Sequence, residues 1–178
     1  QYSPKLVEEV VPKLVPVPMF QKVLQNLLEE SVHIRDLKTI VESLAEHGAK
    51  IQDPGELTRE VRVSLAPAIV QGIFGPSADL SVAALDPALE SLLMQSFGPG
   101  SNGALDPSVA DFLATEAARI CQQQEALGLP ACLLVPDRIR PQVAAMVRKA
   151  APRLRVLAPA EIPDTHTIRI GQLIGSNR

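Results

Sequence analysis

The chain has 178 residues, 46% of them hydrophobic, with a formal net charge of −3 and a pI near 5.6. That is enough apolar material to bury a real core across one or two domains, and it excludes a disordered chain. An acidic balance with 3% aromatics, no Trp and a single Tyr (Tyr2) argues against a nucleic-acid surface, which calls for basic charge and stacking rings.

Ser3-Pro4 reads as a cap and first helical residue. Leu6, Val7, Val10, Val11 and Leu14 then fall on one helical face, and Pro12 kinks or splits that helix. "VPVP" (15–18) is a short stiff break. The next helix carries Phe20, Val23, Leu24, Leu27 and Leu28 as its apolar stripe, with Lys22, Gln25, Glu29 and Glu30 opposite. After "SVH", a third helix buries Leu37, Ile40, Val41 and Leu44. His33 is placed at its N-cap, with Asp36 near the positive end, and Gly48 at C′. Residues 23–47 together read as an antiparallel helical hairpin. Asp53-Pro54 with Glu56 forms a capping box that opens a helix over 54–74, kinked at Pro67.

From Gly75-Pro76 the pattern changes. "ADLSVAAL" (78–85) alternates as a strand, and Asp86-Pro87 opens a helix with Leu89, Leu92, Leu93 and Phe97 inward. "GPGSNG" (98–103) is a loop, and Asp106-Pro107 starts a longer, Ala-rich helix ending near Gly128. "ACLLV" (131–135) is a central strand, 139–151 a helix, 153–158 a strand and "HTIRIGQLI" (166–174) a final strand. The expected class is α+β. An all-helical subdomain (1–75) precedes a small α/β subdomain (76–178) of about four strands, not necessarily all in one direction.

No catalytic constellation emerges. His33, His47 and His166 are scattered without metal-ligand spacing, so no metal, cofactor or small-molecule substrate is expected. "GPGSNG" lacks the G-K-[ST] of a phosphate-binding loop. Cys121 and Cys132 sit among apolar residues and read as reduced core thiols. No apolar run of membrane-spanning length occurs, and an opening on Gln1 rather than Met points to a piece of a longer protein. One basic cluster runs from Arg138 through Arg140, Arg148, Lys149 and Arg153 to Arg155. It is either a solvated face or a docking patch for an acidic partner, the latter resting on Arg138, Arg140, Arg153 and Arg155.

"VLQNLLEESVHIRDLKTIVESLAEHG" (23–48) has the outline of a helix-turn-helix, which makes a DNA-binding regulator the alternative reading. Its second helix sets Arg35 and Lys38 against Asp36, Glu42 and Glu46, a net negative charge to bring toward phosphates. Packing is the better use of that geometry.

The same stretch, extended as "VVPKLVPVPMFQKVLQNLLEESVHIRDLKTIVESLAEHG", strongly resembles the cytosolic region of the FlhA/LcrD export-gate family, also called FHIPEP. The resemblance continues through "DPGELTREVRVSLAPAIVQ", "LDPALESLL", "LGLPACLLVPDRIRPQV" and "RVLAPAEIPDTHTIRI", the last favouring the flagellar over the virulence branch. Pro67 and the "GPGSNG" loop depart from the pattern. The resemblance implies a non-enzymatic part of a type III protein export gate on the cytoplasmic face of the bacterial inner membrane, with membrane spans upstream. The two subdomains would be the third and fourth of the family's cytosolic region. Implied partners are further copies of the chain in a ring expected to be nonameric, the export ATPase complex, and export chaperones with their substrates. Arg35, Asp36 and Lys38 are the candidate subunit-interface residues.

Overall fold

The computed structural model describes residues 4–11, 13–98, 100, 101 and 103–175. Ser3, Pro12, Pro99 and Asn102, which bear on the expected first cap, the first kink and the glycine-rich loop, lie outside them. The fold is α+β and divides into two compact units, 1–72 and 73–178.

The first unit is built from α1 (Pro4–Val10), α2 (Val17–Glu29), α3 (Leu37–His47), α4 (Pro54–Ser64) and the start of α5 (Ala66–Phe74). "VPVP" does more than interrupt the chain, since Pro16 is the N-cap of α2 and Pro18 lies in its first turn, where a missing N–H costs nothing. α4 is the organising helix. It packs against both α2 and α3, which touch it more than each other, so 23–47 is not the tight hairpin expected. The link 32–36, which is neither helix nor strand, joins α2 to α3.

The buried faces are narrower than the sequence pattern implies. Val23 and Leu27 are buried in α2, but Leu28 is 53% exposed, because α2 leans chiefly on one neighbour. In α3, Ile40, Val41 and Leu44 are buried, while Leu37, the first residue of the helix, is only half-buried. Gly48 does not close α3 in a left-handed C′ conformation; it is the C-cap at φ −62. Its small size is what counts, since a Cβ there would stand 2.5 Å from Val15 Cγ2. The expected kink at Pro67 is a full break at Leu65, where the proline has no N–H to continue the helical ladder.

α2 ends in a Schellman motif that carries no glycine. Ser31 takes the left-handed position at φ 60. Its N–H bonds Leu28 O at 3.0 Å, and the Val32 N–H bonds Leu27 O at 2.9 Å. A side chain in that conformation is strained, so Ser31→Gly is expected to stabilise the chain by about 0.5–1 kcal/mol. Thermal unfolding checks this, and a lowered midpoint would refute it.

The second unit holds β1 (Asp79–Leu85), α6 (Pro87–Phe97), α7 (Pro107–Ala126), β2 (Cys132–Leu134), α8 (Arg140–Val147), β3 (Arg155–Leu157), a 3-10 turn (Pro159–Glu161) and β4 (Thr167–Ile174). The sheet order is β3-β2-β1-β4 and every pairing is parallel, so no strand runs against the others. Ala83, Leu133 and Val156 align across the sheet, and with Leu85, Val135 and Ile174 they meet Leu93, Leu113, Ile120, Val143 and Val147 of the helices. Residues 158–166 then carry the chain from one edge strand to the other.

Candidate functional site

Three helix starts, those of α4, α6 and α7, are capped by an aspartate that precedes a proline. Asp53 accepts from Glu56 N at 2.9 Å, Asp86 from Ala88 N at 2.9 Å and Asp106 from Ser108 N at 2.8 Å. An exposed helix N-terminus attracts anions, but here the chain's own carboxylates occupy that place. The same holds where the strand order reverses, between β1 and β4, the usual ligand crevice of a parallel sheet. Asp86 caps α6 there, and Gly175 is packed so closely that a Cβ would lie 3.1 Å from Leu89 and 3.2 Å from Asp86.

The "HIRDLK" block lies on the link into α3. Asp36, not His33, is the N-cap, because its carboxylate reaches Thr39 N at 3.1 Å and takes the Thr39 hydroxyl as well. Those two hydrogen bonds hold the Asp36 carboxyl below the usual carboxylate range. His33, Arg35 and Lys38 are exposed. Lys38 stands 3.9 Å from Glu42 one turn on, so α3 presents a charge-balanced face rather than a basic one.

The basic cluster does not converge. Arg140 is withdrawn into the interior at 4% exposure, donates to Val156 O at 3.2 Å and lies 3.8 Å from the carboxylate of Glu161, itself 1% exposed. It cannot serve an acidic partner. Arg153 projects into solvent and pairs with Glu125 at 2.9 Å, Arg155 is half-buried on β3, and Arg138 is exposed. Arg140 was misread because arginine defaults to the surface. Its spacing to Val143, Ala144 and Val147 is that of a buried helical stripe and was the available signal. Arg62 is the parallel case in the first unit: 2% exposed on the stripe of Thr58, Val61 and Leu65, it lies 3.8 Å from Glu30.

Among the described residues neither cysteine is set up as a nucleophile and no metal centre assembles. Cys121 and Cys132 are free and buried; burial pushes the Cys132 thiol up to about 12, with Glu161 adding to it, and burial and Glu125 raise Cys121. Thiols so held are poor nucleophiles. His47 lies 3.8 Å from both Glu46 and Glu60, yet among the described residues no group of three His, Cys, Asp or Glu is placed to hold a metal ion. Among those residues, too, no helix is long and apolar enough to cross a membrane.

A model of the FHIPEP family matches residues 1–167. The flagellar biosynthesis protein FlhA of Salmonella typhimurium is 44% identical over 175 residues, spanning 98% of this chain. The chain covers only 25% of that relative's length. Among solved structures, the Chlamydia pneumoniae CdsV and CdsO protein complex is similar at 29% identity with a TM-score of 0.85, over 96% of this chain and 50% of that one. Nonameric EPEC SctV-C shares the fold at 24% identity and a TM-score of 0.81, over 96% of this chain and 52% of that one.

Proposed function

The chain belongs to the FHIPEP family, and from that premise we propose that it is part of the cytosolic region of a flagellar type III protein export gate. The carrying observation is the likeness to FlhA along almost the whole chain. In this reading residues 1–75 and 76–178 are the third and fourth subdomains of that region, with the membrane anchor elsewhere in the longer protein. The chain works by assembly and docking, without chemistry of its own. Copies form a ring at the cytoplasmic face of the inner membrane, and the ring receives the export ATPase complex and chaperones with their substrates. Support for a protein partner comes from CdsV, solved in complex with CdsO.

Within the ring, Arg35 and Lys38 are assigned to the contact between neighbouring subunits. Both are exposed on a block whose backbone is fixed by the Asp36 cap. Asp36 orients that block through Thr39 rather than reading the neighbour alone. Of the four arginines assigned to an acidic partner, Arg138 and Arg153 keep exposed side chains, with Arg153 already paired to Glu125. Arg35→Glu is expected to shift stability by no more than about 0.5 kcal/mol, as exposed substitutions do. In the full-length protein it should weaken subunit association and reduce motility. Cells that swim normally with this change, while the chain unfolds at the wild-type temperature, would remove Arg35 from the interface.

A further inference from the structure

Among the described residues β4 pairs only with β1, so one of its edges is open. Ile168, Ile170 and Leu173 on it are 37%, 57% and 44% exposed. Arg169 is the only charged residue in the strand, too little to discourage edge pairing. The register carries a further feature. Ile170 aligns with Val82 and Gln172 with Ala83, which leaves Gly171 as the extra residue of a bulge. Side chains alternate along a strand, so residues 168 and 173 would otherwise face opposite ways. The bulge cancels one step. Ile168, Ile170 and Leu173 therefore share the face of Leu80, Val82 and Ala84, while Thr167, Arg169, Gln172 and Ile174 share the other. Passed through its bulge, the strand has nearly the same polarity pattern in both directions about Ile170: Ile168 answers to Leu173, Arg169 to Gln172 and Thr167 to Ile174.

We propose that β4 pairs antiparallel with β4 of a second copy, about a two-fold axis at Ile170. Ile168 of each copy then stands opposite Leu173 of the other, and the two Ile170 side chains meet on the axis. One face of the joint becomes a continuous apolar cluster of six side chains, removed from water. On the other face each Arg169 lies opposite the neutral Gln172, so no like charges are opposed. Gly171, with no side chain, stands beside the axis in each copy. Such a contact is isologous and joins subunits in pairs. It is separate from the head-to-tail contact of a ring and does not depend on the function proposed above.

Sedimentation analysis of the 178-residue chain up to millimolar concentration tests this, together with variants at the axis. The chain is expected to dimerise. Ile170→Lys should weaken association by about tenfold or more, because it opposes two ammonium groups on the axis, while circular dichroism and thermal unfolding stay near wild type. Under oxidation, Ile170→Cys should give a disulfide-linked dimer, and Thr167→Cys, which faces Ile174 of the other copy, should not. A chain that stays monomeric overturns the proposal; the edge then serves a different strand. A dimer indifferent to Ile170→Lys, or cross-linked at residue 167 instead of 170, overturns it as well.

Discussion

Arg140→Met is expected to destabilise the second unit by about 3–5 kcal/mol, the scale of breaking a buried ion pair from one side. The methionine fills most of the arginine's volume and adds apolar contact, so packing alone predicts a small effect. The loss arises at Glu161. That side chain is 1% exposed, receives the Ala158 N–H at 3.0 Å, and would lose the guanidinium now 3.8 Å away. The Val156 carbonyl would lose a donor too. Pairing Arg140→Met with Glu161→Gln should recover much of the stability, since a neutral amide still accepts from Ala158. Arg153→Met is the control: its ion pair with Glu125 is exposed, and such pairs contribute about 0–1 kcal/mol. Urea unfolding of the three variants decides the matter, and equal midpoints for Arg140→Met and Arg153→Met would show that the buried pair contributes nothing special.

These two arginines also mark where the sequence was legible and where it was not. Three helix starts announced themselves, because Asp53-Pro54, Asp86-Pro87 and Asp106-Pro107 combine a cap acceptor with a preset backbone angle, and in all three the aspartate accepts a helix N–H. Helix ends were harder. Ser31 occupies a left-handed position that the neighbouring backbone imposes, and serine gives no warning of it. His33 looked like a cap only because Asp36 follows it at cap spacing; the carboxylate, within reach of Thr39, takes the role. Strand direction was beyond local pattern altogether. β3 and β4 are consecutive strands on opposite edges of the sheet, and the nine residues between them (158–166) allow either direction until the sheet order is known. Of the candidate surface residues, exposure was read correctly for Arg35 and Lys38. It failed for Arg140, where an ion-pair partner 21 positions away admits a charge to the core.

Ile40→Ala is expected to cost about 2–5 kcal/mol, from lost apolar transfer plus the cavity left behind. Ile40 is fully buried in α3, one turn from Leu44 and beside Val41, and α3 packs against both α4 and α1. Leu37→Ala deletes a side chain of similar size three positions earlier, yet should cost only about 1–2 kcal/mol, since Leu37 is half-buried and water can fill part of the space. Periodicity alone puts both residues on one stripe and predicts equal losses. The difference comes from tertiary geometry: α3 begins at Leu37, and full burial along it sets in only at Ile40. Because two compact units need not unfold together, the readout should be local. Amide hydrogen exchange along α3 reports the free energy of opening that helix. Protection should fall sharply in Ile40→Ala and modestly in Leu37→Ala. Equal losses would return Leu37 to the buried stripe, and unchanged protection in Ile40→Ala would mean that α3 is held by contacts other than its apolar face.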